Sequence, residues 1–265
     1  MYAFDYHRPR SLEEARRLLT DGESARLLAG GMTLLPAMKL RLSQSSDLID
    51  LAGIETLRGI AVDAGQLTIG AMTPHADVEA SADVRAFSPA LAAVARGIGD
   101  PQVRHRGTLG GSLANNDPAA DYPAAVLGMG ATIVTDRREI DADAFFLDLF
   151  ETALEPNEII VGVRFPQPRR AGYAKFPNPA SRYAIVGVFV AATASSVRVA
   201  VTGAGPVVFR HHAMEEALSR DFSAAALEGV RTDPQGLNED LHASAEYRAQ
   251  LIGVMAARAV EAAGG

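Results

Sequence analysis

Two glycine-rich stretches hold the residues best suited to chemistry in this chain. The first reads Ala29-Gly30-Gly31-Met32-Thr33-Leu34. The second reads Gly107-Thr108-Leu109-Gly110-Gly111-Ser112-Leu113-Ala114 and runs on through Asn115-Asn116-Asp117-Pro118-Ala119-Ala120-Asp121. Paired glycines let a backbone approach a ligand closely. Successive N–H groups turned the same way form an anion nest suited to a pyrophosphate. Two such loops, about eighty residues apart, suggest one dinucleotide gripped from two sides. Neither stretch matches G-x-G-x-x-G or a P-loop, so a Rossmann-type nucleotide site is not expected.

Other chemistries find little support. The chain has no cysteine, which rules out disulfides, a cysteine nucleophile and a Cys-ligated iron–sulfur cluster of its own. No H-E-x-x-H and no G-x-S-x-G occurs. The six histidines are scattered, and His211-His212 reads as a solvated loop pair rather than a metal site. A formal charge of −7 argues against a nucleic-acid surface. With 265 residues, 48% of them apolar and 22% charged, the chain can bury a core as one large domain or two small ones. No secretory signal is visible at Met1–Tyr6, and the longest apolar stretch, Tyr183–Ala194, is too short to span a bilayer. A cytoplasmic location is expected.

The elements that must position the loops are partly readable. Ser11-Leu12-Glu13-Glu14 is a capping box that opens a helix closed by Gly22. A short strand at Ala25–Leu28 leads straight into the first glycine pair. Leu48–Leu51 and Leu67–Ile69 read as further strands. Thr73-Pro74 and Ser88-Pro89 each suggest an N-cap followed by proline at the first helical position. Gly97–Asp121 shows little secondary-structure signal and reads as a long functional loop, and Phe145-Phe146 as part of another. A cluster of prolines from Pro156 to Pro179 marks a domain boundary. Beyond it Ile159–Phe165, Tyr183–Ala194 and Val197–Thr202 read as strands. Val197, Val199 and Val201 alternate as on a half-buried antiparallel sheet, and helices follow at Ala213–Leu218 and Ser244–Ala262.

Taken in combination these stretches resemble the FAD-binding medium subunit of the molybdenum hydroxylases, the carbon monoxide dehydrogenase / xanthine dehydrogenase family. The resemblance rests on Leu28–Arg41, Ile98–Ser112 and Asp117–Pro123. Leu154–Ile160, Lys175-Phe176, Tyr183-Ala184 and Ser244–Arg248 extend it over nearly the whole chain. It implies an α+β fold. A two-subdomain p-cresol methylhydroxylase-type FAD-binding domain would occupy residues 1–166, divided at about 53/54. A small C-terminal domain of three antiparallel strands with helices would occupy 167–265.

The family further implies which residues hold FAD. Ala29, Gly30, Gly31, Met32, Thr33 and Leu34 would offer N–H groups to the pyrophosphate, with Arg26 beside them as a phosphate or adenine-side contact or simply a solvated charge. Thr108, Leu109, Gly110, Gly111 and Ser112 would form the second nest, with Asn115 a further polar contact. Asp121 would accept from ribose or ribityl hydroxyls. Ile98 and Ile160 would pack on a flavin or adenine ring, or serve ordinary core packing. Lys175 would lie near the flavin's pyrimidine edge, and Tyr183 would cover one ring face or pack as a strand tyrosine.

The implied partners are an iron–sulfur small subunit and a molybdopterin large subunit in a dimer of heterotrimers. There are also departures. The xanthine dehydrogenase branch has an acidic residue near the position of Arg182, so its acceptor chemistry does not transfer. The lack of cysteine argues against the branch with an inserted cysteine-ligated cluster in this subunit, and the chain is somewhat short for the family. A free-standing flavoenzyme acting directly on a small molecule is the alternative, and an interaction domain that has lost its flavin is a third reading.

Overall fold

The computed structural model describes residues 1–265. The N-terminal subdomain holds β1 (Asp5–His7), α1 (Leu12–Asp21), β2 (Arg26–Leu28), α2 (Leu34–Lys39) and β3 (Asp47–Asp50). The Ser11 hydroxyl accepts from the Glu14 N–H and starts α1 where the capping box indicated. Both outer strands pair parallel to β3, in the order β1-β3-β2. This small sheet aims the end of β2 at the first glycine loop. Ala15, Ile49, Leu51, Ile54 and Leu57 form its own core.

The second subdomain begins with β4 (Ile60–Asp63) and β5 (Gln66–Gly70). Six helices follow: α3 (His75–Ala80), α4 (Ala82–Phe87), α5 (Pro89–Gly97), α6 (Pro101–Arg106), α7 (Leu109–Asn115) and α8 (Tyr122–Met129). Then come β6 (Thr132–Thr135), β7 (Glu139–Asp141), α9 (Ala142–Phe145), β8 (Phe146–Asp148), β9 (Glu151–Thr152) and β10 (Ile160–Pro166). An antiparallel sheet forms in the order β4-β5-β10-β6-β7, and β8 pairs with β9 as a separate hairpin.

Three expectations are corrected here. Pro74 is itself the N-cap of α3, because the Thr73 hydroxyl bonds to the Gly59 backbone instead. Gly97–Asp121 is largely helical. Asp100 caps α6 through the Val103 N–H and Thr108 caps α7 through the Gly111 N–H, two local signals that outweigh the glycine content. Phe145 is not in a loop but ends α9 fully buried, and Phe146 starts β8.

The C-terminal domain holds β11 (Arg170–Pro177), β12 (Ala184–Ala192), β13 (Val197–Thr202), β14 (Phe209–Arg210), α10 (His212–Arg220) and α11 (Ala245–Ala262). The three antiparallel strands are joined at the edge by the two-residue β14. The sheet is not half-buried as the valine alternation suggested. Val199 and Val201 share a core with α10 and α11, while Phe189, Ala191 and Ala200 belong to the core of the second subdomain. Coverage on both faces explains why β12 is one unbroken apolar run. It also explains α8, which is buried at every position because it lies between the second subdomain and this sheet. His211 is likewise no solvated loop residue: its Nδ1 accepts from the Met214 N–H and caps α10, and only His212 is exposed.

Candidate FAD-binding cleft

The first glycine loop has unused donors. The backbone N–H groups of Ala29, Gly30, Gly31, Met32, Thr33 and Leu34 reach no acceptor in the chain. Six consecutive free donors in a partly buried loop are unusual, since folded chains pair nearly all such groups. Gly31 turns the chain with φ +75°, a left-handed backbone that favours glycine. Gly30 serves a different need. A Cβ there would lie 2.1 Å from the Arg106 carbonyl oxygen and 2.7 Å from the Gly107 Cα, so the two loops touch backbone to backbone at this point.

The second loop has spent its donors. The Leu109 N–H donates to Thr73 O (3.2 Å) and the Gly110 N–H to Ala71 O (2.8 Å). The Gly111 N–H donates to the Thr108 hydroxyl (3.2 Å) and the Ser112 N–H to Thr108 O (3.0 Å). Only Thr108 keeps a free N–H, which corrects the expectation of a second nest over 108–112. Gly110 is buried, and a Cβ on it would meet the Ala71 Cβ at 2.6 Å and Ala71 backbone atoms at 2.9 Å. What α7 offers the cleft is side chains. Ser112 and Asn115 sit one helical turn apart, line the cleft, and have no side-chain partner in the protein.

The two loops border a cleft of about 690 Å³, a size ordinary for a cofactor site. All three parts of the fold line it. Arg26 and Ala29 to Leu34 come from the first subdomain, and Ile98, Thr108, Gly110, Gly111, Ser112, Asn115, Asp121 and Ile160 from the second. Ser181, Arg182 and Tyr183 come from the C-terminal domain. Two residues read from the sequence do not line it. Leu109 points into the core with no exposure, because α7 turns it away from the loop.

Lys175 stands behind the wall. Its ammonium donates to Gly97 O (2.7 Å) and Arg182 O (3.0 Å) and pairs with the Asp121 carboxylate (2.9 Å), which uses all three of its protons. Asp121 also accepts from the Tyr173 hydroxyl. Burial pushes the Asp121 carboxyl up, and Lys175 and Tyr173 oppose that shift. Asp121 and Lys175 thus fasten β11 to the start of α8 and hold the turn that carries Tyr183. Tyr183 is 43% exposed and lines the cleft together with Thr33 of the first loop. It closes the cleft from the C-terminal side onto the first loop.

Some lining residues are not among those expected from the sequence to hold FAD. His75 is 4% exposed and its ring lies 5.2 Å from that of Tyr122. Burial, aided by the Arg104 guanidinium, pushes its pKa down to about 4, so it is neutral at pH 7. Its Nδ1 and the Tyr122 hydroxyl are both buried without partners beside the cleft. Leu154, Asn157 and Ile159 reach the cleft from the turn before β10. Asn157 adopts a left-handed φ of +62° there.

The donor set tests well against FAD. Free amide donors suit an anionic pyrophosphate, uncharged Ser112 and Asn115 suit neutral or anionic oxygens, and Ile98, Leu154 and Ile160 offer apolar walls to flat rings. Fold and cleft together fit a flavoprotein whose cofactor cleft is lined by two α+β subdomains and a C-terminal sheet. Comparison supplies the family. Residues 2–168 match the model of the FAD binding domain in molybdopterin dehydrogenase, and residues 171–263 match that of the CO dehydrogenase flavoprotein C-terminal domain. The chain belongs to this family and is an FAD-binding oxidoreductase subunit of the molybdenum hydroxylase type.

The chain is 38% identical to the carbon monoxide dehydrogenase medium chain of Hydrogenophaga pseudoflava, over 98% of this chain and 96% of that one. It is 35% identical to the nicotine 6-hydroxylase medium subunit of Paenarthrobacter nicotinovorans, over 99% and 98%. A chain of quinoline 2-oxidoreductase from Pseudomonas putida 86 superposes with a TM-score of 0.90 at 30% identity, covering 100% of this chain and 98% of its own.

Proposed function

We propose that this chain takes electrons from iron–sulfur clusters on a partner subunit and passes them to an external acceptor. The observation that carries this reading is the row of six unpaired N–H groups facing a cleft that three structural units close. Bound FAD supplies the electron exchange. The chain's own residues do the rest. Ala29 to Leu34 hold the pyrophosphate by backbone donors, and Ser112 and Asn115 add side-chain contacts. Ile98 and Ile160 line the ring-binding walls, Arg26 lies beside the phosphate end, and Tyr183 closes the cleft against water. Lys175 and Asp121 set where Tyr183 stands.

The absence of cysteine means that any thiolate-held cluster feeding the flavin sits on another chain. Relatives named for carbon monoxide, nicotine and quinoline share this fold at 30–38% identity, which supports placing substrate choice on the molybdopterin subunit. No helix is long and apolar enough to cross a membrane. The reading places a dimer of heterotrimers in the cytoplasm.

The test is single-turnover flavin reduction. With the iron–sulfur and molybdopterin subunits present, substrate should bleach the flavin band of this chain. Alone, the chain should stay oxidised. A lone chain that oxidises a small molecule with its own FAD establishes the free-standing flavoenzyme instead.

A further inference from the structure

A second cavity, of about 230 Å³, lies behind the turn that joins β11 to β12. Ser181 and Tyr183 line both this cavity and the FAD cleft, so the turn stands between the two. Asn178 lines the cavity while only 7% exposed. Its Oδ1 accepts from the Ala180 N–H (2.9 Å) and the Ser181 N–H (3.1 Å), which fixes the orientation of the amide. The amide nitrogen donates to nothing in the chain and is the end left to the cavity. Arg248, on the first turn of α11, lines the same cavity, and its side chain is 4% exposed. Its guanidinium donates to Ile185 O (2.6 Å), Gly203 O (2.9 Å) and Asp240 Oδ2 (2.8 Å). Two of its five N–H donors remain, and the one at Nε is buried without an acceptor. The Ser181 hydroxyl accepts from the Tyr183 N–H (3.3 Å) and keeps its own proton. Unspent donors at a buried wall cost free energy until an oxygen meets them.

We propose that this cavity is a second ligand site, taking the oxyanion of a small carboxylic or phosphoric acid against Asn178, Ser181 and Arg248. Amide and hydroxyl donors beside a guanidinium suit such oxygens, and the guanidinium adds the charge. Asp240 does not turn the anion away. Its Oδ1 is already met by the N–H groups of His242 (2.8 Å) and Ala243 (3.1 Å), and its Oδ2 by Arg248. At a third of the volume of the FAD cleft, the cavity admits a small acid and not a dinucleotide. The site also bears on the cleft. The Asn178 N–H donates to Tyr183 O (2.8 Å) and the Arg182 N–H to Asn178 O (2.8 Å), so Asn178 closes the turn that carries Tyr183. A ligand held by Asn178 and Ser181 steadies Tyr183 where it lines the cleft, and FAD then binds more tightly. By linkage, FAD tightens the acid by the same factor. The site is complete within this chain, whatever subunits the chain works with.

The test uses the full chain loaded with FAD. Isothermal titration with succinate and with inorganic phosphate, against chloride at equal ionic strength, should show saturable binding of one acid per chain. Which of the two binds tighter separates a carboxylic from a phosphoric ligand. Asn178→Asp keeps the Oδ1 that caps the turn and replaces the amide donor with a carboxylate, so binding should weaken about tenfold or more. A charge at this buried position also costs stability, so His242→Glu is the second variant. His242 is exposed, lines the cavity and has no side-chain partner in the chain. Its replacement should leave the urea midpoint unchanged and weaken the acid about fivefold or more. Val62→Glu, at an exposed position on β4, controls for net charge and should bind as the wild type does. With the tighter acid saturating, the FAD dissociation constant of the wild type should fall about fivefold relative to that of Asn178→Asp. Heats no different from those of chloride overturn the site, as do Asn178→Asp and His242→Glu chains that bind like the wild type. Binding that leaves FAD affinity unchanged overturns the link to the cleft.

Discussion

The two glycine loops look alike in sequence and do opposite work. In the first, the donors from Ala29 to Leu34 are free and Gly31 turns them outward with a left-handed backbone. In the second, the donors from Leu109 to Ser112 are bonded inward, and Gly110 is glycine because Ala71 leaves no room for a Cβ. One loop leaves its donors open to the cleft and the other braces the cleft's floor. A Gly-Gly pair therefore reports a close backbone approach, and only the tertiary structure says whether the approaching group is a phosphate or another strand.

The contrast can be broken most forcefully at Asp121, which ends the second stretch. Asp121→Ala leaves the Lys175 ammonium buried without its counter-charge. Such a change should cost about 3–5 kcal/mol of unfolding free energy in urea titration. A loss of FAD affinity with an unchanged urea midpoint would return Asp121 to direct ligand contact.

The next effect is acid sensitivity from His75, whose backbone N–H is bonded to Gly107 O at the head of the second loop. Its folded pKa of about 4 lies below the unfolded value near 6.5, so the unfolded chain takes up the proton first. The associated stability is present above pH 6.5 and is lost as pH falls toward 4, by about 3 kcal/mol. Comparing urea midpoints at pH 7 and pH 4.5 for wild type and His75→Gln checks it. The variant should show the shallower decline, and parallel curves would remove His75 as the cause.

Gly110→Val should cost about 1–3 kcal/mol by overpacking against Ala71. Any loss of FAD should track the loss of fold. By contrast, Gly31→Ala, strained at φ +75°, should lose FAD more than stability. If the two variants behave alike in paired flavin-release and melting measurements, the distinction between the loops fails.

The smallest effect separates side chain from backbone on α7. Ser112→Ala should weaken FAD by about 1 kcal/mol with no shift in melting temperature, because its hydroxyl has no protein partner. Isothermal titration of the apoprotein reads this directly, and unchanged affinity would leave Thr108 and Asn115 as the only polar contacts from that side.

Legibility followed the range of the interactions. The capping box at Ser11, the strand entering the first loop and the helix after Ser88-Pro89 are set by neighbours in sequence, and they stand where the residues indicated. The helices α6 and α7 are hard to see in the sequence because Gly99 and Gly107 flank the first and Gly110-Gly111 sit inside the second, which masks the caps at Asp100 and Thr108. The valine alternation of β13 predicted one buried face, since a strand pattern cannot show a second layer arriving from the other domain. His75 was invisible for the same reason. A histidine after a proline carries no sign that Tyr122 and Gly107 will enclose it.

By itself the sequence determined the two glycine loops, the order of the main elements and, through its motifs in combination, the family. Those are properties of residue type and local spacing. The tertiary structure alone decided which loop keeps its donors free, that Lys175 braces the cleft wall behind Asp121, and that Tyr183 lines the same cleft as the first loop. Each of these depends on hydrogen bonds and contacts between segments tens of residues apart. Such a bond is decided by which groups the packed core brings within about 3 Å of each other, and no local pattern records that distance.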